Sequence, residues 1–168
     1  MKIDIQRFSD RYLVRRVEKN DLSNVYALCS KNSLYYQYCP PTVTEQSIID
    51  DMNALPPNKS FNDKYYLGYF DSDKLIAVMD FIMAYPDEKT AFIGFFMTDI
   101  SVQNCGIGTR IIDDLCVYLK TLALSEVRLG WGKGNPQAEH FWHKNQFKET
   151  GISCDMENYT VIVAHRVL

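Results

Sequence analysis

No run in this sequence approaches the roughly 20 apolar residues that a bilayer-spanning helix needs, so no membrane segment is expected. Met1–Asp10 has no apolar core, and no secretory leader is expected there. A basic excess is missing too. Lys and Arg number 18 against 21 Asp and Glu, for a formal net charge of −3. Nucleic-acid binders usually carry a basic patch or stripe, so no nucleic-acid partner is expected. The chain also lacks internal repeats, low-complexity tracts and linkers. Its cysteines, at 29, 39, 105, 116 and 154, are odd in number, and no two have CxxC spacing. Free thiols in a reducing compartment are the simplest reading, which makes the cytoplasm the expected location. His140 and His143 lie three apart beside Glu139, but no HExxH and no third ligand accompany them, so no metal is expected.

What remains is an ordinary globular composition, 46% hydrophobic and 23% charged over 168 residues, which suits one domain spanning 1–168. Tyr12–Val17 reads as a first strand. Asn20 and Asp21 are placed to cap a helix carrying Leu22, Val25, Tyr26 and Leu28. The aromatic segment Leu34–Pro41 reads as a loop. Thr42 and Glu45 have capping-box spacing before a second helix. Three strands follow, Lys64–Phe70, Leu75–Ala84 and Ala91–Ser101, joined by short turns that imply antiparallel hairpins. Ile107, Ile111, Leu115, Leu119 and Leu122 then recur at helical spacing. A strand at Val127–Trp131, a helix opened by Asn135-Pro136, and a closing pair at Phe147–Ile152 and Tyr159–Val167 complete the chain. The order predicts an α+β domain. Its central, mostly antiparallel sheet carries one parallel β-α-β crossover and is flanked by helices.

The most informative stretch joins the third of these strands to the long helix: Gln103-Asn104-Cys105-Gly106-Ile107-Gly108. A glycine-punctuated turn entering a helix aims free backbone N–H groups at an anion, and the helix dipole favours negative charge there. A Walker loop would need GxxxxGK[ST]. A Rossmann fingerprint would need GxGxxG at the start of a parallel unit. Neither is present.

Gln103, Gly106 and Gly108 match Q/R-x-x-G-x-G/A, and this turn resembles motif A of the GNAT acetyltransferase superfamily. Asn135 to Phe147 resembles that family's later helix, N-x-x-A-x-x-F-[YW]-x-K-x-G-F, and the order of elements is similar from Tyr12 onward. The resemblance implies the GNAT fold and acetyl-CoA as donor. It implies a small-molecule or peptide primary amine as acceptor, attacking the thioester directly. By family habit alone, a homodimer is an expectation.

Carried over residue by residue, the amides of Asn104, Cys105, Gly106, Ile107, Gly108 and Thr109 would bind the pyrophosphate, in the turn that Gln103 opens. The backbone of Ile100 and Val102 would hold the pantetheine arm. Asn135 would touch that arm or the facing turn, and Phe141 and Trp142 would flank the cofactor.

Asp80 and Asp99 are the candidate bases, each with an ordinary reading as a solvated strand carboxylate. The family's usual acid, a tyrosine, is Trp142 here, and an indole cannot serve. That departure motivates a second reading, a GNAT-fold protein that binds acyl-CoA without efficient catalysis, as a sensor or interaction module. Cys105 could be a reactive thiol at a helix start or a neutral substitution contributing only its backbone. The Tyr35–Pro40 loop could cage a cationic acceptor, cover the core, or form a dimer contact.

Overall fold

The computed structural model describes residues 3–168. Strand β1 (Leu13–Arg16) is followed by three helices, α1 (Leu22–Ser30), α2 (Ser33–Tyr38) and α3 (Glu45–Asn53). Three consecutive strands come next: β2 (Lys64–Asp71), β3 (Lys74–Ile82) and β4 (Thr90–Thr98). The chain then runs through α4 (Ile107–Thr121), β5 (Glu126–Gly132), α5 (Pro136–Lys144), β6 (Lys148–Asp155) and β7 (Thr160–Val167). One seven-stranded sheet holds them all, in the order β1-β2-β3-β4-β5-β7-β6. Only β4 and β5 pair in parallel, as the α4 crossover between them requires.

Apolar side chains are buried on both faces of this sheet, and β3 shows why. Ala77, Met79 and Phe81 point one way, against Ile111, Ile112, Leu115 and Leu119 of α4. Val78 points the other way, against Val25 and Leu28 of α1 and Ile48 of α3. Each of the four α4 side chains is fully buried, worth roughly 1.5–3 kcal/mol apiece in apolar transfer. The same alternation puts Asp80 on the α1–α3 side, where a carboxylate interrupts an apolar face.

Four expectations from the sequence are corrected. Part of Leu34–Pro41 is helical rather than loop, because Tyr35 and Tyr36 pack on the α1–α3 core and that burial outweighs weak propensity. The cap of α3 is Thr44 rather than Thr42: Ser47 N donates to Thr44 Oγ1 at 3.0 Å, and Thr44 N donates to Ser47 Oγ at 2.9 Å. Asp21 does not cap α1, since its carboxylate accepts from Glu18 N at 2.8 Å and binds both arms of the Arg15 guanidinium. Strand β4 stops at Thr98 rather than Ser101. Asp99 turns the chain into a short 3-10 turn, Ile100–Val102, by accepting from Ser101 N at 2.9 Å.

Candidate active site

The two parallel strands separate before either ends. Pairing runs from Thr90–Glu126 to Ile93–Leu129 and no further. Strand β4 continues to Thr98 and β5 to Gly132 without each other. The cause lies on the far edge of β4. Asp80 of β3 faces Phe95 and Phe81 faces Ile93, so Gly94 is the extra residue of a bulge. A bulge bends its strand, and this one bends β4 away from β5 where their pairing stops. The resulting cleft holds a cavity of about 340 Å³, walled by Ile93–Thr98 on one side and Leu129–Gly132 on the other. Its backbone edges have lost their ladder partners. They suit an extended ligand that carries amides of its own.

At the end of this cleft the predicted turn enters α4. Asn104 and Gly106 both take left-handed backbone, with φ of 58° and 77°. Gly106 caps the helix without a side chain, and Arg110 N donates to Gly106 O at 3.0 Å. That leaves the amides of Ile107, Gly108 and Thr109 without an intrahelical acceptor. A Cβ added at Gly106 would meet nothing within 4 Å, so the space above it is open. Gln103 holds the turn in place. Its Nε2 donates to Asn32 Oδ1 at 2.7 Å and to Thr98 O at 3.2 Å, and Asn32 Nδ2 donates to the same Thr98 carbonyl. The glutamine therefore ties the turn to the end of α1 and to the end of β4.

Helix α5 closes the other side. Asn135 caps it, with its Oδ1 accepting from Gln137 N and Ala138 N, both at 3.1 Å. Phe141 stacks on Phe96, and Trp142 wedges against Phe141 and Phe147. Val102, Gln103, Asn104, Gly106, Gly108 and Thr109 line the cavity, as do Asn135, Phe141 and Trp142. Three residues expected to contribute through their backbone turn their side chains elsewhere. Ile100 is 48% exposed on the 3-10 turn, Cys105 is exposed with its thiol turned to Gln103 O, and Ile107 packs on the core. Because β4 ends early, the strand edge facing the cleft is Gly94–Thr98. Sequence reading missed that edge, although the aromatic run Phe95-Phe96 marked it. His140 and Lys144 also reach the cavity wall. Among the described residues, no group of three or more His, Cys, Asp or Glu could hold a metal.

A second cavity, of about 260 Å³, adjoins the first on the α1–α3 side, and the two share Tyr35, Gly94 and Phe95. Asp80 and Asp51 line it. Both Asp80 oxygens accept from Lys64 Nζ at 2.8 Å, and that ammonium is almost wholly buried. Burial pushes the Asp80 carboxyl up, while Lys64 pulls it back. Asp51, also in the wall of this cavity, has no ion pair among the described residues. Although Asp51 is exposed to solvent, partial desolvation by its neighbours, then the charge of Asp80, pushes its carboxyl up to about 6. Asp99 lies in neither cavity. Burial favours its neutral form, but the Ser101 hydroxyl and amide, with the Lys31 and Lys74 charges, outweigh that and hold it below the usual range. Of the two predicted base candidates, only Asp80 stands where the cavities meet.

No helix of the described residues is long and apolar enough to cross a membrane. Comparison with curated protein sequences returns no match. Similarity to solved structures is extensive at the level of fold. An acetyltransferase from Thermus thermophilus superposes with a TM-score of 0.72 at 15% identity, covering 92% of this chain and 96% of that one. A spermidine N-acetyltransferase from Vibrio cholerae, in complex with CoA and spermine, gives 0.67 at 18% identity, over 95% and 96%. The ribosomal-protein-S18-alanine N-acetyltransferase from Escherichia coli gives 0.64 at 14% identity, over 93% of each chain. The family description "Acetyltransferase (GNAT) family" matches residues 26–147, a span that takes in the split between β4 and β5, the glycine turn and α5. With most of its length inside that match, the chain belongs to the GNAT acetyltransferase family.

Proposed function

We propose that this protein transfers an acetyl group from acetyl-CoA to a primary amine, by direct attack of the amine on the thioester. The observation that carries this reading is the meeting of two cavities at Tyr35, Gly94 and Phe95. One is a cleft with an anion-binding turn at its end, which suits the donor. The other carries carboxylates and tyrosines, which suits an amine. The five unpaired cysteines support a reducing compartment, in keeping with the cytoplasm.

The residues present fit acetyl-CoA. The free amides of Ile107, Gly108 and Thr109 would hold the pyrophosphate, helped by the helix dipole. The unpartnered edge of Gly94–Thr98 would hydrogen-bond the pantetheine amides, much as a strand would. Asn135 Nδ2 donates to no protein acceptor among the described residues and is free to join them. An amide of the same β4 edge would stabilise the charge that develops on the thioester oxygen.

An alkylammonium has a pKa near 10, so the amine must lose a proton before it attacks. Asp80, directly or through water, is the base that this geometry favours. The departing thiolate needs a donor other than Trp142. Tyr35 lies at the junction, but burial pushes its phenol well above the usual range. It can donate a hydrogen bond to the sulfur while keeping its proton.

Release of CoA thiol from acetyl-CoA over a panel of amines tests the proposal. Turnover with at least one primary amine is expected. Thiol release with none of them, despite calorimetric CoA binding, would favour the sensor or interaction module instead.

A further inference from the structure

The second cavity has a charge inventory that its neighbour lacks. Two carboxylates, Asp51 and Asp80, line it, and no Lys or Arg does. Lys64 answers one of them, spending its ammonium on both oxygens of Asp80. The Asp51 carboxylate is left without a hydrogen bond or ion pair among the described residues. Asp51 is exposed to solvent where it lines the cavity, so water satisfies its oxygens, and the cavity carries a net negative charge whenever Asp51 is ionised. An acceptor bearing its own carboxylate would set like charges together with no free cation to separate them.

Tyr66 gives a second, independent sign of a ligand. It stands directly across the sheet from Asp80, which in turn faces Phe95, so the three form one row over β2, β3 and β4. Tyr66 is only 5% exposed and lines the cavity, yet its hydroxyl finds no hydrogen-bond partner among the described residues. The ring is buried, but the hydroxyl stays accessible at the cavity it lines, where it is free to bond a ligand. Burial raises its pKa, with Cys29, Asp51 and Asp80 the next influences, which places the hydroxyl among those groups. Aromatic rings make up part of the remaining wall: Tyr35, Tyr36 and Tyr159, with Phe95 at the junction. Rings of this kind hold cationic groups well.

The two ends of the cavity differ. Near Phe95, the Lys64–Asp80 pair is neutral overall, and Lys64 disfavours a second ammonium beside it. That suits the amine that must become neutral to react. Near α3, Ser47, Ile48 and Asp51 share one face, and Asp51 brings a carboxylate with no ion pair among the described residues. We propose that the acceptor is a small diamine whose reactive amine lies beside Asp80 and Phe95, while its second, protonated amine is held by Asp51 and the Tyr66 hydroxyl. This rests on the acetyltransferase reading of the same site and names its substrate class.

Binding to the protein–CoA complex tests it without needing turnover. The probes are 1,5-diaminopentane, hexylamine of equal length, and 6-aminohexanoate, titrated calorimetrically at pH 7.5. The diamine is expected to bind about tenfold or more tightly than hexylamine, as one charge-assisted hydrogen bond implies, and the carboxylate probe should bind weakest. Asp51→Asn should bring the diamine and hexylamine together while leaving CoA affinity unchanged. Tyr66→Phe should narrow the gap in part. Equal affinities in the native protein, or a diamine preference that survives Asp51→Asn, would overturn the proposal. The two readings fail separately. Turnover of other amines without diamine preference removes the diamine and leaves the acetyltransferase. Asp51-dependent diamine binding with no thiol release from acetyl-CoA does the reverse.

Discussion

Gly94 and Asp80 are locked together across the β3–β4 bulge: a Cβ built on Gly94 would come within 2.8 Å of Asp80 Oδ2. The carboxylate lies against bare backbone, and it can do so only because the bulge residue has no side chain. Gly94→Ala should push Asp80 away from the junction and loosen its contact with Lys64. The expected result is a fall in kcat of roughly a hundredfold, the scale of a displaced acid–base group, with CoA affinity unchanged. Steady-state kinetics beside calorimetry with CoA gives both numbers. An alanine variant with native kcat would remove Asp80 from the proposed chemistry.

Residue patterns announced most of this arrangement, and the parts they hid have physical causes. The buried face of α4, the crossover and the glycine turn follow from spacing and glycine placement, which are local. The end of β4 was misread because the apolar run before it carries through to Ile100 with only Thr98 and Asp99 interrupting it. Only the Asp99 side chain, accepting from Ser101 N, breaks it. Asp51 gave no sequence signal at all. It follows Asp50 in an acidic pair that reads as solvated surface, and only the folding of α3 over β2 and β3 brings it into one cavity wall with Asp80. Likewise Gln103 finds its side-chain partner in Asn32, far along the chain.

The two motif glycines should fail in different ways. A Cβ on Gly108 would sit 3.0 Å from the Phe141 ring, so Gly108→Val must displace that ring into the cleft. CoA affinity should drop at least about tenfold while the fold survives, at an overpacking cost of about 1–3 kcal/mol. Gly106 meets no neighbour but has a φ of 77°, so Gly106→Ala is chiefly strained. It should lose about 1–2 kcal/mol, or roughly 2–8 °C in Tm. A bulky side chain there, as in Gly106→Leu, would also enter the phosphate site and weaken CoA. Unchanged CoA affinity in folded Gly108→Val and Gly106→Leu would sink the assignment of this turn.

Asp51 should also make itself visible in the pH dependence of stability. Its carboxyl is pushed up to about 6 in the folded protein, above the ordinary value of 3.8. Between those pH values the folded state binds the proton more tightly, so this group's contribution to stability falls as pH rises through that window. Above pH 6 the ionised carboxylate costs stability that Asn would not, a cost that solvent at this exposed residue screens to a small one. Asp51→Asn is therefore expected to melt higher than the native protein at pH 7.5, with the gap closing as pH falls to about 4. Melting curves across that range check it. A variant that melts lower at pH 7.5, or a gap that does not change with pH, would show that Asp51 is not perturbed.

Trp142 stands where the resemblance in sequence pattern implies a tyrosine, and the structure gives it a packing role. It is 7% exposed, with ring centroids 4.8 Å from Phe141, 5.2 Å from Phe147 and 6.0 Å from Phe96. An indole N–H does not ionise near neutral pH, so the side chain has no proton to contribute to the departing thiolate. Its work is to press Phe141 and Phe96 into the wall of the cleft. Trp142→Phe should therefore lower Tm through lost contact area and change CoA affinity only modestly, since Phe keeps an aromatic ring at the wall. The pH profile of kcat should keep its shape, because no titrating group has been removed. A profile that loses its basic limb in Trp142→Phe would mean that the indole orders the donor for the sulfur, and Tyr35 would then be the residue to vary next.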